Sequence, residues 1–260
     1  MKLPTIEGVI DRRVLVNYRV EPRTMAALLP SSLRPQVVDG WAIAGICLIR
    51  LQELRPAGMP PWIGLRSENA AHRVAVEWDE DGAVRTGVFI PRRDSNSRTN
   101  TLFGGRLFPG VHHHARFQVS ETEDVVDVRM RSKDAAVSVA VRGRRSTRMP
   151  GGSVFGTVQQ ASAFFEGGAL GLSPTRSGDL LEALELDVPN WRVDPLEIED
   201  VHSSFFSDTT RFPQGTVQID HALLMRGIRH RWHQREPVCG CEELPRRPDP
   251  TSASPRVSMV

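Results

Sequence analysis

Lysine is almost missing from this chain. Of 33 basic residues in 260, only Lys2 and Lys133 carry a primary amine, and the rest are arginine. Arginine stays protonated and is no nucleophile, so chemistry through a lysine imine has little to draw on. Cysteine is scarce as well: Cys47 lies in an apolar run, and Cys239 and Cys241 form a C-x-C pair near the end. An odd count with that spacing is no disulfide framework and suits a reducing compartment. No apolar run approaches the roughly 18 residues of a membrane span, and "MKLPTIEGVIDRR" lacks the apolar stretch of a signal peptide. These absences predict a cytoplasmic protein without membrane contact. A formal net charge of only +2 leaves out the broad basic footprint of a nucleic-acid partner.

What is there points to a sheet. Hydrophobic residues make up 40% and charged ones 25%, enough to bury a core without staples. In "RRVLVNYRV" (12–20), Val14, Val16 and Tyr18 alternate with other positions, the period of a half-buried strand. "WAIAGICLIRL" (41–51) is apolar nearly throughout, which predicts a strand covered on both faces. Further strand patterns occupy 72–78, 84–90, 111–119, 125–131, 135–143, 191–201 and 216–228, with hairpin compositions at "DEDG" and "SKDA". Short helices are expected at "EPRTMAALLP" (21–30), "SVFGTVQQASAFFEGG" (153–168) and "SGDLLEALEL" (177–186). The sum is one mainly antiparallel β domain over residues 1–235. A Pro-, Arg- and Ser-rich tail, 236–260, reads as disordered.

The candidate chemistry starts at "TLFGGRLFPGVHHHARF" (101–117). On a strand, neighbours face opposite ways, so His112, His113 and His114 cannot converge on one metal, and no metal site is expected. His113 shares an otherwise apolar face with Val111, Ala115 and Phe117, as a core imidazole or a site residue. Gly104 and Gly105 allow tight backbone approach, and Arg106 emerges beside them, able to hold a carboxylate or to form a surface ion pair. Glu68 sits among small residues in "SENAAH", where a carboxyl group could serve as acid or base or simply be solvated. Nucleophile elbow and dinucleotide fingerprint are both absent, and no cofactor is expected.

Five stretches carry a resemblance: "VNYRVEPRTMAALLPSSLRPQVVDGWAIAGICLIRL", "GLRSENAAHRVAVEW", "GVFIPRRDSNSRTNTLFGGRLFPGVHHHARF", "GSVFGTVQQASAFFEGG" and "ALLMRGIRHRWH". Over most of residues 8–233 the chain resembles an uncharacterised bacterial family, often called YqjF-like, of the acetoacetate decarboxylase-like superfamily. The resemblance implies a cone-like antiparallel β-barrel with a few short helices and a ligand cavity. By the same resemblance, Arg19 takes the place of an arginine that holds the substrate carboxylate, and Glu68 that of an active-site glutamate. The loop that bears the decarboxylase's catalytic lysines corresponds to "TNTLFGGRLFPG", which has none.

Two classes of function follow. In one, a small carboxylate- or carbonyl-bearing molecule is bound by Arg19 and Arg106, Glu68 moves a proton and His113 polarises a carbonyl, in lyase, hydratase or isomerase chemistry without an imine. In the other, the cavity binds a small molecule without turnover, or the protein is an accessory partner. The superfamily's decarboxylases form large oligomers, so a homo-oligomer is consistent with either.

Overall fold

A computed structural model describes residues 4–97, 110–175 and 180–239. Four long strands form its middle: β1 (Ile6–Val20), β4 (Trp41–Pro56), β5 (Leu65–Glu80) and β13 (Val217–Cys239). A five-residue helix, α1 (Pro22–Ala26), follows β1, and the two-residue strands β2 (Arg34–Pro35) and β3 (Val37–Val38) precede β4. β6 (Ala83–Ser95), β7 (His112–Glu121), β8 (Val125–Ser132) and β9 (Ser138–Arg145) come next. Then follow α2 (Val158–Gly167), β10 (Leu170–Pro174), β11 (Leu180–Asp187) and β12 (Asp194–Ser203).

These strands make one sheet of thirteen, in the order β11-β10-β6-β7-β8-β9-β12-β13-β1-β4-β5-β2, with β3 on β4. β5 also pairs with β6 and β11 with β13, so the sheet closes on itself twice. Pairing is antiparallel except for β6–β7 and β6–β10, which are parallel. The mainly antiparallel expectation therefore holds with two exceptions, both at β6.

The central strands are buried on both sides because their two alternating sets of residues are both apolar. Val14, Val16, Ala44, Ile46, Leu48, Val74, Val76 and Leu224 enter one apolar cluster. Leu15, Ile43, Cys47, Ile49, Leu51, Ala75, Leu223 and Met225 enter the other, where Ala161 and Phe165 of α2 cover them. Every residue from Ala42 to Ile49 is buried, as the unbroken apolar run requires. Asp81 and Gly82 both take positive φ, 51° and 75°, the two-residue hairpin that "DEDG" predicts between β5 and β6.

Three expectations change. The described part of the stretch 177–186 is not a helix: from Leu180 onward it is β11, laddered to β10 and β13. Its "LLEALEL" spacing suits a helix, but pairing on both sides satisfies the backbone better than an isolated turn could. β1 starts at Ile6 rather than residue 12, because Ile6 finds partners in both Trp232 and Pro56. β13 runs on to Cys239, four residues into the expected tail, with Val238 opposite Leu181 and Cys239 opposite Leu180. Among the described residues, no helix is long and apolar enough to cross a membrane.

Candidate functional site

A cavity of about 130 Å³ opens between the sheet and α2. That is the scale of a void that takes one small molecule, since an engineered ~150 Å³ cavity holds benzene. Strand alternation decides which side chains reach it: Asn69, Ala71 and Arg73 of β5 line it, and so do Cys47, Ile49 and Leu51 of β4. Arg13 of β1, Arg93 of β6 and His112 of β7 complete its polar wall. Phe165, Leu184, Leu186, Trp191 and Trp232 close the apolar side.

The three guanidinium groups set the electrostatics. Arg73 is 4% exposed; its Nη2 donates to Asn17 Oδ1, and its Nε is buried without a hydrogen-bond partner. Its head also lies 4.8 Å from the centre of the Phe165 ring, a cation–π contact. Burial lowers its pKa to about 10. Arg93 donates from Nε and Nη2 to Ser173 Oγ, at 3.2 and 3.1 Å, and burial lowers it likewise to about 10. Arg13 directs Nε at Cys47 Sγ, 3.3 Å away, and stacks 5.7 Å from the Trp191 ring centre. Among the described residues, none of the three has a carboxylate within 4.0 Å. Asp94 also borders the cavity, but both of its oxygens accept from Arg92, at 3.0 and 2.9 Å. Glu182 acts on Arg93 from beyond that distance; the positive charge that remains in an apolar enclosure is costly, and an entering anion would relieve that cost.

Behind Arg73 runs a buried chain of hydrogen bonds. Asn17, which takes the Arg73 donor, gives Nδ2 to His221 Nε2 at 2.9 Å. Nδ1 of His221 donates to Asp220 Oδ2 at 2.5 Å, and Asp220 also accepts from Ser153 Oγ at 2.7 Å and Val154 N at 2.9 Å. Burial pushes the Asp220 carboxyl up, but the bonds from His221, Ser153 and Val154 outweigh it and hold the group below its ordinary range. Burial also lowers the His221 imidazole, against the pull of Asp220. Nε2 is thus the unprotonated acceptor, and a neutral imidazole held by the Asp220 carboxylate fixes the Asn17 amide for Arg73. Ser153 bonds to the carboxylate and not to the imidazole, so the trio is not a nucleophilic triad.

The residues singled out from sequence scatter around this cavity. Glu68 faces away from it: Oε2 accepts from Arg12 and Oε1 from Arg50, each at 2.6 Å. Glu121 adds a second carboxylate, bonded to Arg50 and 3.6 Å from Arg12. Arg19 donates to Gln218 Oε1 at 2.8 Å and to the Gly152 carbonyl at 2.7 Å, and its head lies 5.5 Å from the Trp41 ring centre. Arg19 and Glu68 therefore do not meet, and neither lines the cavity. His113 points instead to the turn after β8, with Nδ1 3.2 Å from Asp134 Oδ2. It is the neighbouring His112, on the opposite strand face, that borders the cavity. Arg106, with Gly104 and Gly105, lies outside the described residues. Lys133 is exposed in the β8–β9 turn.

Sequence reasoning passed over Arg13, Arg73, Arg93 and Cys47. One signal was available: Arg73 stands between Ala71 and Ala75 on a face that is otherwise small and apolar, where a solvated arginine has no place. The Asn17–His221 bond of that relay joins positions 204 residues apart, which no local pattern reveals.

The fold of this chain is shared with acetoacetate decarboxylase-like proteins. An acetoacetate decarboxylase from Legionella pneumophila shares it at 12% identity and a TM-score of 0.58, covering 90% of this chain and 88% of that one. The enduracididine biosynthesis enzyme MppR, complexed with pyruvate, matches at 14% identity and 0.58, over 92% and 91%. An acetoacetate decarboxylase-like enzyme from Sphingomonas wittichii RW1 matches at 14% and 0.54, over 91% and 94%. At these identities the likeness is one of fold. Within that fold the chain belongs to the DUF2071 family of uncharacterized conserved proteins, whose match spans residues 10–213. No curated protein matches the sequence.

Proposed function

We propose that the chain binds a small carboxylate-bearing molecule with an apolar remainder, in the cavity between the sheet and α2. One observation carries this reading: Arg13, Arg73 and Arg93 face a small, largely apolar space whose lining carboxylate, Asp94, is already bound to Arg92, and among the described residues none of the three has a carboxylate within 4.0 Å. A ligand anion would supply charge-assisted hydrogen bonds that the protein leaves open, and the Trp191, Trp232 and Phe165 rings would take its apolar part. Among proteins of this fold, MppR was solved in complex with pyruvate, a small 2-oxo acid of this class. Fold analogy adds to the reading and does not carry it.

Turnover by a lyase, hydratase or isomerase route needs a proton-transfer group at the cavity. Glu68, with both oxygens engaged by arginine, serves better as the counter-charge of buried Arg12. Binding is the reading that the geometry supports best, and it suits a chain whose loop "TNTLFGGRLFPG" carries no lysine.

Thermal denaturation tests it, because a ligand that binds only the native state raises Tm by mass action. Pyruvate, acetoacetate and phenylacetate are each titrated, with phenylacetamide as the neutral control. A saturable rise with at least one acid, and none with the amide, is expected. Equal shifts with acid and amide, or no shift with any acid, would remove the proposal.

A further inference from the structure

The cavity wall holds a thiol that anion binding alone does not use. Cys47 is 7% exposed and lines the cavity, and the Arg13 Nε–H points at its sulfur from 3.3 Å. Independently of the sulfur, Arg73 points to a ligand: it is 4% exposed, it lines the same space, and its Nε is buried without a partner. A carboxylate drawn to these guanidinium groups would bring its neighbouring carbon towards the sulfur, and proximity of that kind is the main requirement for addition. Negative charge developing on sulfur or on a former carbonyl oxygen would meet donors already in place.

We propose that Cys47 is a nucleophilic site that captures small carboxylates bearing an electrophilic carbon next to the carboxylate, 2-oxo acids above all. The proposal rests on the reading of the cavity as a carboxylate site and adds a covalent step to it. With a 2-oxo acid, the sulfur bonds to C2 and the carbonyl π pair moves onto oxygen. The thiol proton ends on that oxygen, giving a hemithioketal. Nothing is oxidised or reduced and no further reactant is consumed, so the step is reversible.

Alkylation of the full-length chain tests it. Iodoacetate carries the carboxylate that the site would hold, and iodoacetamide is its neutral counterpart. In either reaction the sulfur displaces iodide, which leaves with the bonding pair, and the thiol proton goes to solvent. On an unguided cysteine, thiolate and carboxylate repel, so the amide reacts faster. At Cys47 of the folded chain, read by peptide mass, the iodoacetate-to-iodoacetamide rate ratio is expected about tenfold or more above that of the urea-unfolded chain, the size that focusing by a charged cleft supplies. Pyruvate should slow the reaction, and the C2 resonance of 2-13C-pyruvate should move from the ketone to the tetrahedral-carbon range. Prior alkylation should abolish that move.

A ratio equal to that of the unfolded chain, or a Cys47 that neither reagent modifies, overturns covalent capture. So does a C2 resonance that stays in the ketone range with pyruvate bound. If phenylacetate still raises Tm in such a case, the carboxylate site stands and only the thiol's role falls. If no acid raises Tm either, both fall together.

Discussion

Glu68 and Arg73 lie five positions apart on β5 and show how little residue type says without its surroundings. Glu68 is a carboxylate between two guanidinium groups, and Arg73 is a guanidinium without a carboxylate. Opposite consequences follow from removing each charge. Glu68→Gln leaves Arg12, which is fully buried, with only the 3.6 Å contact to Glu121. Breaking one side of such a pair is expected to cost about 3 kcal/mol, read as a lower urea midpoint at unchanged slope. Arg73→Met replaces an uncompensated buried cation by an apolar chain of similar reach. Its expected outcome is stability within about 1 kcal/mol of the parent, or above it, together with loss of the acid-induced rise in Tm. A midpoint that falls by several kcal/mol would show that the Asn17–Arg73 bond holds the strand and that the cation is structural. The sequence makes Glu68 conspicuous because small residues surround it. Its actual partners, Arg12 and Arg50, come from β1 and β4, and only the assembled sheet brings them there.

At the scale of elements, legibility follows the pattern that each segment shows. β4 is readable because eight consecutive buried positions leave no polar face to misplace. The β5–β6 hairpin is readable because Asp81–Gly82 is the turn chemistry itself. β11 is misread because a seven-residue stretch with leucines at both spacings fits helix and strand alike, and the choice falls to long-range ladders with β10 and β13. The strand at 112–121 is read correctly in its alternation, yet the face that matters is the other one: His112 borders the cavity while His113 pairs with Asp134. Helix α2, which lays Phe165 against the cavity, starts with a capping box. Thr157 Oγ1 accepts from Gln160 N at 3.2 Å, and Gln160 Oε1 accepts from Thr157 N at 3.1 Å. Thr157→Ala removes the first of these bonds and is expected to lower stability by about 1 kcal/mol. Thr157→Ser should recover most of it. Equal losses in both variants would mean that methyl packing, and not the cap, sets the start of α2.

Imidazoles buried in the closed sheet give the whole molecule a pH limit. His72 is fully buried, with neither ring nitrogen hydrogen-bonded, and sits 4.7 Å from Phe205, ring centre to ring centre. Burial, aided by the positive charges of Arg92 and Arg211, lowers its pKa from 6.5 to about 3. Burial lowers His230 to about 4, with Arg13 acting in the same direction. Both groups are neutral in the fold and take up protons more readily once unfolded. Their contribution is fully present above about pH 6.5, the pKa of the unfolded imidazole. It is lost as pH falls towards 4 for His230 and towards 3 for His72. Within that window each histidine should subtract about 1.4 kcal/mol of stability per pH unit. His221, whose imidazole burial also lowers, adds a third such proton; replacing His72 by leucine removes one of the three and also an imidazole whose nitrogens have no partner. Urea midpoints measured between pH 7 and pH 4.5 should then fall about two thirds as steeply in His72→Leu as in the parent, to the extent that these three histidines set the slope. Above pH 7 the variant should match the parent or exceed it, because an apolar side chain suits the Phe205–Phe206 surroundings. An acid limb of unchanged steepness would show that the unfolding proton uptake lies in the carboxylates.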